Sequence, residues 1–128
     1  MKKGEKKMKE IIIDGVKYVP ETEVSKYTKA EELEGMKYCI VRTYSAGVFA
    51  GYVESRNGKE VVIRNVRRIW YWDGANSLSQ LAKDGTCEPD NCKFAVEVDK
   101  IEVTEAIEII ECTSKAQESI QGVPEWKK

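Results

Sequence analysis

The sequence predicts an α+β domain, an antiparallel β-sheet with two short helices, the second near the C-terminus. Three observations lead there. Runs rich in β-branched and aromatic residues, over 38–44, 48–56 and 59–72, are separated by turn residues. Two Ser-x-x-Gln signals, Ser77 with Gln80 and Ser114 with Gln117, open short amphipathic stretches. The chain has 128 residues, 41% of them hydrophobic, which suits one compact domain with a core of ordinary size.

The elements follow in order. Residues 9–19 read as a small hairpin, with Ile11-Ile12-Ile13 and Val16-Lys17-Tyr18-Val19 flanking the turn pair Asp14-Gly15. Residues 21–35 are charged and weakly apolar, a linker with a helical turn around Ala30-Glu31-Glu32-Leu33. Residues 1–35 therefore form an N-terminal hairpin arm and linker, and 36–128 the main α+β domain. The first strand of that domain is 38–44, followed by the turn Ser45-Ala46-Gly47. Residues 48–56 and 59–72 are the next strands, joined at Asn57-Gly58. Asp73-Gly74 ends the long strand. Ser77 caps a short helix that buries Leu78, Leu81 and Ala82 and stops at Gly85. Residues 93–98 form a strand with Phe94, Val96 and Val98 on one side. Residues 99–111 fit strand and helix periods alike, and a strand bending near Thr104-Glu105 is favoured. A last helix runs from Ser114 to about Gln121, closed by Gly122 and Pro124, with Trp126 packing back.

A two-residue loop at Asn57-Gly58 would set Arg56 opposite Lys59, Val53 opposite Val62 and Gly51 opposite Arg64. One face of this ribbon then carries Phe49, Gly51, Val53, Val62, Arg64 and Val66. Without a bulge it continues through Arg68, Trp70 and Trp72. The other face is also partly apolar, so both need a cover, from helices or from another subunit.

Composition excludes several functions. The net charge is -1, without the basic excess that a general nucleic-acid binder uses against phosphates, so nucleic acid is not expected as the main partner. No apolar run is long enough for a membrane span or a signal peptide, which points to a cytosolic protein with no membrane partner. The four cysteines, Cys39, Cys87, Cys92 and Cys112, include one close pair resembling half a zinc knuckle. With no second pair and no histidine, they read as reduced thiols rather than a metal site. Without a histidine base, a Gly-rich phosphate loop or a nucleophile elbow, the chain is not read as an enzyme, and no cofactor is expected.

The segment Arg67-Arg68-Ile69-Trp70-Tyr71-Trp72 carries the functional expectation. Guanidinium groups bind paired oxygens of a phosphate, and large rings stack on a base, so together they suit a nucleotide. The alternative is an aromatic core flanked by snorkelling arginines. On chemistry, the candidate ligand-binding residues are Arg42, Tyr44, Arg64, Arg68, Trp70, Trp72 and Asn91. Arg42 and Tyr44 lead into a turn whose hydroxyls and glycine could supply anion donors, the alternative being an ordinary hairpin end; Asn91 could read a base edge or simply satisfy turn backbone.

Residues 40–48, 67–72, 78–82, 91–94 and 105–110 together resemble the anti-Thoeris sponge proteins carried by phages and prophages. The resemblance implies an antiparallel sheet with C-terminal helices and ligand pockets formed between subunits. It implies sequestration, without cleavage, of the cyclic ADP-ribose isomer made by a host TIR immune enzyme, and extends to cyclic oligonucleotides as further ligands. The expected protein is thus a homodimer or higher homo-oligomer in the cytoplasm of a bacterial host. The competing reading from the residues is a small module of phage origin that binds single-stranded nucleic acid or protein.

Overall fold

A computed structural model describes residues 30–127. The hairpin expected over 9–19 lies outside the described residues. The described residues form an antiparallel sheet of six strands with two helices. In chain order these are β1 (Lys37–Thr43), β2 (Val48–Asn57), β3 (Glu60–Tyr71), α1 (Leu78–Asp84), β4 (Lys93–Phe94), β5 (Val98–Val103), β6 (Ala106–Glu111) and α2 (Ser114–Gly122). A 3-10 turn, Pro89–Asn91, precedes β4.

The sheet runs β4–β3–β2–β1–β6, and β5 also pairs with β3. β5 lies along the first half of β3 (Val61 opposite Val103) and β4 along its end (Ile69 opposite Phe94). β5 and β6 thus sit at opposite edges of the sheet, yet only Thr104 and Glu105 separate them. So short a link requires the sheet to curl on itself into a partly closed barrel. The Ala106 N–H donates to the Lys59 carbonyl where the two edges approach.

This curl resolves the problem of a sheet apolar on both sides. The inner face gathers Val41, Phe49, Val61, Ile63, Val66 and Val103, contributed by four strands, with Ala106 and Ile109 of β6 packed against them. The outer face of β1–β3 carries Tyr38, Ile40, Ala50, Tyr52 and Ile69, which pack with Leu81 of α1 and Ala116 and Ile120 of α2. One face is covered by the barrel itself and the other by the two helices. Self-association is therefore not required to cover the ribbon.

The β2–β3 register departs from the expected one. The turn is centred on Gly58-Lys59, with Asn57 opposite Glu60 and Arg56 opposite Val61 rather than Lys59. Two bulges follow. Glu54 is an extra residue on β2, so Val53 faces Ile63 rather than Val62. Tyr52 pairs with Arg64 and Ala50 with Arg67, which leaves two residues of β3 opposite Gly51. Asn65 takes up the surplus in a left-handed conformation, φ 47°. Gly51 permits this crossing. A Cβ there would meet the Ile63 side chain at 2.8 Å and the Arg64 carbonyl oxygen and Val66 Cα at 2.9 Å. Bulges of this kind sharpen strand twist and re-aim side chains.

Other local expectations are refined. Ser77 caps α1 by accepting the Gln80 N–H at 3.1 Å, but the Gln80 side chain reaches forward to Asp84 rather than back. Gly85 ends the helix at φ 76°. α2 is capped one residue early, by Thr113, whose hydroxyl accepts the Ala116 N–H at 3.1 Å. Gln117 turns inward instead, donating to the Tyr52 hydroxyl at 2.8 Å and accepting the Glu31 N–H at 2.9 Å. No helical turn forms over 30–33. Ala30 is buried against the end of β6, and a tight turn at Glu34-Gly35 leads into β1. The strand expected over 93–98 breaks after Phe94, so Val96 and Val98 are exposed.

Candidate functional site

The adjacent arginines of β3 point to opposite faces and do different work. Arg67 faces the helices and is buried. It donates to the Ala95 carbonyl at 2.9 Å, to Ile120 and Val123 at 2.9 and 2.8 Å, and to Phe94 at 3.3 Å. Two of those acceptors are carbonyls at the end of α2, where a cation also complements the helix dipole. Burial holds its pKa below the ordinary guanidinium value. Arg67 is scaffolding.

Arg68 faces the barrel. Its guanidinium carbon stands over the Phe49 ring, 4.8 Å from the centroid. Its Nε is buried and has no hydrogen-bond partner among the described residues. An unpaired charged donor at a barrel end is costly unless something accepts from it.

Beyond Arg68 the strand bulges again, between Ile69 and Tyr71 in the ladder with β4. Trp70 sits at this bulge and is 63% exposed. Its ring meets Trp126 edge to face, centroids 6.4 Å apart. The chain after α2 returns here because the Trp126 N–H donates to the Phe94 carbonyl at 2.9 Å, forming an isolated parallel bridge between Glu125 and Phe94. The Lys93 ammonium lies 5.5 Å from the Trp126 centroid. This end of the sheet therefore presents two large rings and an ammonium to solvent. Tyr71, Val96 and Val98 are also exposed on this part of the sheet.

The other expected site residues are dispersed. Arg42 leaves β1 on the outside and pairs with Glu108 at 2.8 Å. Tyr44 stands out in the turn after β1, 79% exposed. Arg64 pairs with Glu54 at 3.2 Å, and the Asn65 bulge separates it from Arg68. Trp72 packs against the helix-side core and donates to the Ala75 carbonyl at 3.2 Å. The expected single face through Arg64, Arg68, Trp70 and Trp72 does not exist, because the bulges at Asn65 and Trp70 each reverse the alternation. Asn91 donates to the Asp73 carboxylate at 3.4 Å. Trp72 and Asn91 thus share one task, holding the loop that follows β3.

That loop walls an open groove of about 510 Å³ between residues 74–76, α1, residues 85–87 and Lys115. Gly74 is required there, since at φ 81° a Cβ would come within 2.6 Å of the Glu88 nitrogen and the Thr86 hydroxyl. Beyond the paired glycines at 74 and 85, the sequence gives no sign of this groove. It gives none of Lys93 either, and it places Phe49 on the Arg68 face without a role at the site.

Among the described residues no three His, Cys, Asp or Glu side chains converge as a metal site. No described helix is long and apolar enough to cross a membrane. Residues 36–120 match the family model described as "Domain of unknown function (DUF6948)". The chain belongs to the DUF6948 family. The match spans β1 to most of α2, so the barrel, the groove and the Arg68–Trp70 strand all lie within the DUF6948 domain, while Trp126 lies beyond the matched residues. No curated protein and no solved structure matches this DUF6948 chain.

Proposed function

We propose that this domain binds a cyclic ADP-ribose-type nucleotide signal and holds it without cleaving it, as an anti-defence protein of phage or prophage acting in the cytoplasm of a bacterial host. The observation that carries the reading is the exposed Trp70–Trp126 pair beside Lys93, two residues along β3 from Arg68, whose buried Nε has no partner among the described residues. A base stacks on an indole for about 1–3 kcal/mol. An ammonium suits the pyrophosphate oxygens, and the guanidinium edge of Arg68 would add a second charged donor from the barrel side.

The surface is open rather than a closed pocket. A second copy of the chain laid against Trp70, Tyr71, Val96 and Trp126 would close it and bury the exposed rings. The functional unit in this reading is a homodimer or a larger closed assembly. Cyclic oligonucleotides, which likewise join stackable bases to anionic phosphodiesters, are further ligands of this reading.

The test is to mix the protein with the cyclic ADP-ribose isomer, remove free ligand, heat the complex and analyse what is released. Depletion followed by intact recovery supports sequestration. Fragments would mean an enzyme, and no depletion removes the ligand from consideration. A short single-stranded oligonucleotide run in parallel probes the competing module reading, because its binding would weaken steeply with added salt.

A further inference from the structure

The groove beside α1 shares no residue with the Trp70 surface, and its chemistry differs. Its walls are cross-braced. The Thr86 hydroxyl donates to the Asp73 carbonyl and accepts the Glu88 N–H, while the Thr86 N–H donates to Ser119 of α2 at 2.9 Å. These hydrogen bonds tie the wall around Thr86 to the end of β3 and to α2. At about 510 Å³ it falls within the range of small-molecule sites.

The charges in the groove cancel. Lys115 lies 3.9 Å from the Asp84 carboxylate, which also accepts from the Gln80 amide. An anion would meet Asp84 and a cation would meet Lys115, so neither is favoured. What remains is a mixture of hydrogen-bonding groups: the Asn76 amide N–H2 and the Lys115 ammonium as donors, the Gln80 carbonyl and the Asp84 carboxylate as acceptors. A vicinal diol offers one donor and two acceptor lone pairs on each hydroxyl, and it matches such a set without requiring charge.

We propose that this groove is a second binding site, for the neutral diol-bearing ring of a sugar or a nucleoside. The inference does not rest on the nucleotide reading of the Trp70 surface.

Cys87 supplies the readout. It lies on the groove wall and is exposed, whereas Cys39, Cys92 and Cys112 are buried. Its rate of modification by a soluble thiol reagent is measured on the full chain, alone and with millimolar D-ribose, adenosine, or 2′,3′-dideoxyadenosine, which lacks the diol. The expected result is at least threefold slowing by adenosine, by ribose or by both, and none by the dideoxy compound. Slowing by ribose assigns the site to free sugars as well as nucleosides, and slowing by adenosine alone assigns it to nucleosides. Asn76→Ala with Gln80→Ala should abolish the protection, while Trp70→Ala should leave it intact; circular dichroism checks the fold of each. Unchanged labelling with every compound overturns the proposal, as does equal protection by the dideoxy compound. So does retention of protection in the folded Asn76→Ala, Gln80→Ala variant.

Discussion

Arg68 and Phe49 face each other directly across the β2–β3 ladder, and the guanidinium of one covers the ring of the other at 4.8 Å. The stack orients the side chain while leaving the buried Nε without an acceptor among the described residues. Arg64, four residues earlier, instead spends its charge on Glu54 at a partly exposed position. Arg68→Ala should weaken binding of the cyclic ADP-ribose isomer ten- to a hundredfold, the loss of a charge-assisted contact of about 1.5–3 kcal/mol. Arg64→Ala should stay within twofold of the parent, like the distant control Lys59→Ala. Calorimetry at fixed salt reads all three. Similar losses in Arg64→Ala and Arg68→Ala would sink the distinction drawn between the two faces.

Arg67→Met should act on stability instead. Four carbonyls lose a charged donor, two of them at the end of α2. The expected cost is about 2–4 kcal/mol in urea unfolding, since contacts in one network do not add fully. Hydrogen exchange should quicken in the last turn of α2. A change below about 1 kcal/mol would mean that water replaces the guanidinium easily.

Stability should fall at alkaline pH. Burial pushes the Cys39 thiol up to about 11, aided by Glu111, and the Cys112 thiol up to about 12, aided by Cys39. Burial raises the Tyr38 hydroxyl as well. Each group binds its proton more tightly folded than unfolded. Its contribution is therefore complete below the ordinary thiol value near 9 and is lost as pH rises through 11 to 12. Urea midpoints should be flat from pH 7 to 8.5 and decline above pH 9, less steeply in Cys112→Ala. A midpoint constant to pH 11 would contradict the buried, protonated thiols.

The exposed rings predict how the chain self-associates. Light scattering at micromolar concentration should return twice the protomer mass or a higher multiple. Trp126→Ala should shift the population toward monomer, because Trp126 and Trp70 form one exposed apolar step. A monomeric parent protein would remove the second copy from the proposed site.

Much of the fold was legible because local chemistry specifies it. Ser77 and Gly85 bracket α1 by capping alone, and Thr104-Glu105 mark a corner between two short strands. The bulges were harder. Their signal lay in the apolar spacing Val61, Ile63, Val66, a step of two and then of three, which alternation cannot accommodate without an extra residue. Gly51 is the cross-strand reason, and it is visible only once the strands are paired. The site was less legible still. Which arginine is buried depends on the far end of α2, and the ring that meets Trp70 arrives 56 positions later in the chain.

The pairing of β1 with β6 has a consequence for how this protein is made. Lys37 and Glu111 meet across a sequence separation of 74 residues, and the inner cluster is not enclosed until they do. Closing so long a loop costs entropy before any contact repays it. Folding should therefore be slow for a domain of this size, on the scale of milliseconds to seconds. During synthesis β1 and the β2–β3 hairpin must wait on the ribosome with apolar surface uncovered. A chain stopped before Ala106 would keep every strand of the hairpin and still lack the staple that shuts the barrel.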